Sequence, residues 1–314
     1  MIPVFRKSSI VLKEEYCSML SADTRSGSLR AIIDKEFAPK LIKIAEESRD
    51  LSRILAEVDR YHAILLTRIL EAAKTERTVL SVDALVRTYS FLPAVIAHQM
   101  GFKPLSYIPI PGVGGLKENL DLTRFCVVNP LLSKLVSYYR SLDRLKPENV
   151  VKILDEIAAV IKNSEYVHEY LVAGLYYDLV LIRLCSIHDL SGFEFKPLLM
   201  PVQGFREICK LTMSNIEQIP SALKRARPVI SVASSIYEDS LRFLGRIEGL
   251  DLVAVMAPAY LASLILHVKP AESLLKYYLL YLRQSVLLKL VLVFVEEPSV
   301  KPELRLFIER WVSP

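Results

Sequence analysis

The tetrapeptide Phe102-Lys103-Pro104-Leu105 returns letter for letter as Phe195-Lys196-Pro197-Leu198, an offset of 93 residues. Each copy follows an apolar, tyrosine-bearing run with helical character, Thr88 to Met100 and Leu175 to Leu190. Each then leads into a turn built on Pro and Gly, Pro109 to Gly115 in the first copy and Pro201 to Gly204 in the second. Four matching letters alone arise by chance; the same order of helix, tetrapeptide and turn is a far stronger constraint. In a chain of 314 residues that period leaves room for three units, and internal repeats of supersecondary size stack to bury a common core. The expectation is an all-α scaffold of three similar helical units, residues 1–128, 129–219 and 220–314.

Composition fits that plan. Apolar residues are 52% of the chain and glycines number 10, so a large core is available and extended disorder is excluded. A mean hydropathy of +0.31 is high for a protein in water. It predicts helices buried on several sides, or surface that partners cover. The net charge of +5 comes from 40 basic and 35 acidic residues without a dominant block, too dispersed to argue for nucleic acid by itself. The N-terminal stretch Met1 to Lys7 lacks the apolar core of a secretion signal. The longest uncharged run, Leu252 to Val268, is interrupted by Pro258 and falls short of the roughly 20 residues of a membrane span, so a buried helix is expected. Four cysteines, Cys17, Cys126, Cys185 and Cys209, form no CxxC pair and are expected to be buried thiols of a cytosolic protein.

The apolar spacing predicts individual helices. Leu51, Ile54, Leu55, Val58, Tyr61, His62, Leu65, Ile69 and Leu70 mark one face of a helix over 51–73, with Asp50 placed to cap its start. Further helices are expected over 88–100 and 131–145, from Pro147, and from 165 to 187 after a cap at Ser164. The last of these is apolar nearly all round, with Asp178 and Arg183 as inner charges; an Asp178 facing a neighbouring unit is the expectation. A shorter helix is marked by Phe205, Ile208, Cys209 and Thr212. In the third unit one helix is expected down to Glu248, stopped by Gly249, then helices over 251–269 and from Pro270, and an amphipathic tail through Leu304, Phe307, Ile308 and Trp311. No segment alternates as a half-buried strand does, so strand content should be very low.

Chemistry-bearing motifs are scarce. The Gly112 to Lys117 turn departs from a phosphate loop, because Leu116 stands where GxxxxGK[ST] needs its last Gly and Glu118 where it needs a hydroxyl. The five histidines never fall at the i, i+4 spacing of paired metal ligands. Lys224, Arg225 and Arg227 form the densest basic cluster, and Tyr277, Tyr278 and Tyr281 could stack bases, although helical spacing beside leucines suits a core or an interface. No cofactor, metal ligand or catalytic residue is expected.

The opening Phe5-Arg6-Lys7-Ser8-Ser9-Ile10-Val11-Leu12-Lys13-Glu14-Glu15-Tyr16 resembles the start of the C-type stalk proteins of archaeal A-type ATP synthases, a family shared with the C/d-type stalk proteins of V-type ATPases. The stretch Asp50 to Tyr61 resembles the next signature of that family, and the two Pro/Gly turns resemble its segments after the inner helices. The family's inner helices usually carry an Asp followed three places later by Asn; here Asp178 is followed by Leu181. The resemblance implies three helical units about a pseudo-threefold axis in a funnel. It also implies a non-catalytic, peripheral protein on the cytoplasmic face of the cell membrane. Such a central-stalk component couples the rotor axle to the membrane proteolipid ring and transmits torque during ATP synthesis or proton transport. Under it the recurring turns are the expected partner contacts, at Pro111, Gly112, Gly114, Gly115, Gln203 and Gly204. An alternative is a helical component of an archaeal RNA-guided, nucleic-acid-binding complex, which would use the Lys224 to Arg227 cluster.

Overall fold

A computed structural model describes residues 9–48, 50–73, 76–86, 147–187, 196–214, 218–224, 228–266 and 274–312. Among the described residues the chain is all-helical and contains no strand. The helices are α1 (Lys13–Leu20), α2 (Arg25–Arg30), α3 (Ala38–Glu47) and α4 (Leu51–Ala72), then α5 (77–86), α6 (Pro147–Lys162) and α7 (Val167–Ile187). They continue as α8 (Val202–Ser214), α9 (Ile219–Lys224), α10 (Pro228–Ser240), α11 (Arg246–Ile265), α12 (Leu274–Phe294) and α13 (Lys301–Trp311). The expected helices over 88–100 and 131–145, the first copy of the tetrapeptide and Phe195 lie outside the described residues.

Several helix starts follow from local chemistry. Asp50 accepts the Ser52 N–H at 2.9 Å, and Thr24 accepts the Gly27 N–H at 3.1 Å, so each cap satisfies a donor the helix leaves open. Glu15 reaches back to the Leu12 N–H at 2.6 Å, the return half of a capping box. Pro147 and Pro228 open α6 and α10, where a missing N–H costs nothing.

The expected boundary at Gly249 is corrected. The helix from Pro228 ends at Ser240, and Gly249 lies inside α11. A Cβ there would stand 2.9 Å from Ser240 Oγ and 3.0 Å from Tyr237 Cε2. The glycine therefore serves close packing of α11 on α10, not termination. α11 also runs through Pro258, whose ring deletes one N–H bond in a helix otherwise enclosed by neighbours.

α11 and α12 are long and apolar enough to cross a membrane, but 67% and 83% of their apolar windows are buried inside the fold. Their surroundings explain their uniform apolarity. α12 packs along α4 and α11, while α11 also packs on α7 and α10. The ends of the chain meet as well: α1 packs on α13, and Lys301 Nζ donates to the Ala22 carbonyl. Arg25 binds Glu296 at 2.7 Å and donates to the Leu292 carbonyl.

Candidate functional site

Tyr170, Gly174 and Asp178 are spaced four apart and so share one face of α7. All three receive the segment that starts at Leu198, the last residue of the second tetrapeptide. The Tyr170 hydroxyl donates to the Leu198 carbonyl at 2.9 Å. A Cβ on Gly174 would lie 3.1 Å from Leu199 Cγ, so the glycine makes room for that side chain. Asp178, fully buried, accepts the N–H groups of Leu198, Leu199 and Met200 at 2.6, 2.8 and 2.8 Å. Asp178 therefore serves its own span of chain, which corrects the expectation that it faces a neighbouring unit. Burial pushes its carboxyl up to about 6, although the three N–H donors pull the other way.

The expected thiols are corrected too: Cys185 on α7 and Cys209 on α8 form a disulfide. Together with the clamp at Leu198 to Met200, it ties the stretch through Cys209 to α7 at two points. Cys17 is free and half-buried, and Cys126 lies outside the described residues.

Of the expected contact residues, Gln203 and Gly204 occupy the first turn of α8, so the second Pro/Gly turn is a helix start. Gln203 is exposed, and a Cβ on Gly204 would meet nothing within 4 Å. Val202, Tyr166 and Val167 are exposed large apolar side chains. The Tyr170 bond to Leu198 brings the start of α7 near the segment that leads to Val202. Pro111, Gly112, Gly114 and Gly115 lie outside the described residues.

Sequence reasoning missed a polar seam buried between α12 and its neighbours. Gln284 is satisfied on every side: its Oε1 accepts the Val11 N–H at 2.8 Å, while its Nε2 reaches the Ser9 carbonyl at 3.0 Å and His62 Nε2 at 3.1 Å. His62 Nδ1 lies 2.8 Å from the Val58 carbonyl. These partners define a neutral imidazole with its proton on Nδ1. Burial lowers its pKa to about 4. One turn away, Lys289 and Asp59 pair at 2.5 Å, with Ser285 also donating to Asp59. Burial lowers the Lys289 pKa and Asp59 opposes that shift. Tyr278 donates to Asp83 at 2.7 Å, and Tyr281 pairs with Ser9 at 2.6 Å. Polar residues three and four apart in an apolar helix were the available signal.

This geometry weakens base stacking as a role for the tyrosines, since Tyr278 and Tyr281 are enclosed. In the basic cluster, Lys224 is paired with Glu238 at 2.6 Å; Arg225 and Arg227 lie outside the described residues. A cavity of about 220 Å³ opens beside Phe243, Glu248, Val286, Lys289 and Phe294. Its one lysine is already bound to Asp59, and no group of metal-ligating side chains occurs among the described residues. What these features define is an all-helical body whose buried polar groups mostly pair with one another. The chain matches no family model, no curated protein and no solved structure.

Proposed function

We propose that the protein is a non-catalytic coupler in the central stalk of a rotary A/V-type ATPase. It joins the rotor axle to the membrane proteolipid ring on the cytoplasmic face and transmits torque. In this reading the spans 1–128, 129–219 and 220–314 are three helical units arranged as a funnel about a pseudo-threefold axis.

The observation that carries it is pairwise contact among all three spans. α12 of the third span packs on α4 of the first, and α11 of the third packs on α7 of the second. The first and second meet where Thr78 donates to Ser164 at 3.4 Å. A coupler must resist shear, and a closed set of packed helices deforms little because protein interiors have low compressibility. Exposed Tyr166 and Val167, and exposed Val202 next to Gln203 in the chain, supply apolar surface of the kind a partner's core contact covers.

The test is purification from native membranes followed by mass spectrometry of the accompanying chains. Axle and proteolipid components in fixed ratio are the expected outcome. Recovery of a guide RNA with its protein partners, or of no partner at all, would reject the proposal.

A further inference from the structure

Val286, Lys289, Leu290, Val293 and Phe294 of α12 form one side of the cavity of about 220 Å³, and Phe243 to Gly245 with Glu248 of α11 form the other. Val286 and Leu290 are buried while Gly245 is exposed, so the cavity reaches inward from the surface. Phe243 and Phe294, both on its wall, meet edge to face with ring centroids 6.4 Å apart. Two charged side chains line the space. Lys289 is bound to Asp59. Glu248, half-buried, forms no hydrogen bond or ion pair with any described residue. It holds the third position of α11, from which a glutamate ordinarily returns to the N-cap N–H, and it does not make that bond. Its carboxylate lies against the N-cap residue instead, because a Cβ on Gly245 would collide with Glu248 Oε2. The Gly245 backbone, at φ −65° and ψ 167°, is one that any residue adopts. What the glycine supplies is room for the carboxylate.

Chemistry narrows the occupant. An apolar cavity of about 150 Å³ already accepts benzene, so this one has room for a ring and a short arm. Aliphatic and aromatic walls favour an apolar body, and a few polar groups set its orientation. The polar group here is a carboxylate without a partner, and the faces of Phe243 and Phe294 also attract positive charge. An ammonium head supplies both the charge and the N–H donors that the carboxylate oxygens lack. A metal ion would find this single carboxylate, since no group of metal-ligating side chains occurs among the described residues.

We propose that this cavity is a binding site for a small arylalkyl ammonium. The ring enters among Val286, Leu290 and Phe294, and the ammonium donates to Glu248. The site is independent of the coupler reading, because every group it uses belongs to the isolated chain.

Calorimetric titration of the purified full chain at constant ionic strength tests it, with phenethylammonium, neutral phenethyl alcohol and anionic hydrocinnamate as probes. The ammonium should bind about tenfold more tightly than the alcohol, and hydrocinnamate more weakly than either. Glu248→Gln should bring the ammonium to the alcohol's affinity and leave the alcohol's unchanged. Val293→Trp, which fills the cavity from its wall, should abolish binding of both. Equal affinity for ammonium and alcohol in the wild type, a preference that survives Glu248→Gln, or no saturable binding of the ammonium overturns the proposal. Should either variant fail to fold, methyl NMR of the wild type decides. Phenethylammonium must shift Leu244, Val286, Leu290 and Val293 above all, and shifts centred elsewhere overturn the site.

Discussion

Two buried ionisable side chains, Asp178 and His62, respond to pH in opposite senses over nearly the same range. The folded chain binds a proton on His62 only near pH 4, whereas an unfolded imidazole binds one near 6.5. Stability from His62 is therefore full above 6.5 and is lost as pH falls to 4. Asp178 keeps its proton up to about 6 when folded, against 3.8 otherwise. Its contribution is full below 3.8 and is lost as pH rises through 6. Each change amounts to about 3 kcal/mol at 1.36 kcal/mol per pH unit, so the two largely offset. In urea titrations between pH 4 and 6.5, Asp178→Asn should gain stability with rising pH and His62→Gln should lose it. Slopes of the same sign in the two variants would refute the assignment. Asp178 was visible in the sequence as an anomaly, a charge within an apolar run. Its partners were not, because backbone N–H groups have no letter. Gln284 was harder still, since each of its three partners lies more than 200 positions away.

At the scale of helices, three glycines illustrate what one letter leaves open. Gly174 leaves space for Leu199, Gly249 brings α11 against α10, and Gly204 faces open space. Gly174→Val should destabilise by about 1–3 kcal/mol through overpacking. Gly204→Ala should stabilise by about 0.5–1 kcal/mol, because the helix gains propensity and no contact is strained. Urea midpoints moving in opposite directions would bear this out. The α12–α4 seam gives a sharper case. Asp59→Ala should cost about 3–5 kcal/mol by stranding Lys289 in the interior, and adding Lys289→Met should recover most of that loss; a double-mutant cycle reads both. The helix starts at Asp50 and Pro147 were legible because capping and proline chemistry are local. The passage through Pro258 was expected from the apolar run over 251–269 and is found; the end at Ser240 was not legible, because tertiary packing decides it. Apolarity all round correctly marked α7 as deep, but it could not say which neighbours cover it.

On the scale of the whole chain, the all-helical class followed from periodicity alone, while the disulfide was misread from cysteine spacing. Cys185 and Cys209 are 24 positions apart, and only the packing of α8 on α7 brings them together. Closing a loop of that length contributes about 3 kcal/mol in the chain-entropy account. Cys209→Ser should lower stability by about that amount, and a peptide map without reductant should recover the linked pair. The distant tie points at Ser9–Tyr281, Arg25–Glu296 and Lys301–Ala22 lock the beginning and end of the chain into one body. That closure would suit the torque-bearing part proposed above. The most direct measurement is ATP-driven proton uptake in membrane vesicles from cells depleted of this chain. ATP hydrolysis by the soluble head should persist, acidification should be lost, and adding back the purified chain should restore it. Acidification that continues undiminished without the chain would contradict the proposed coupler role.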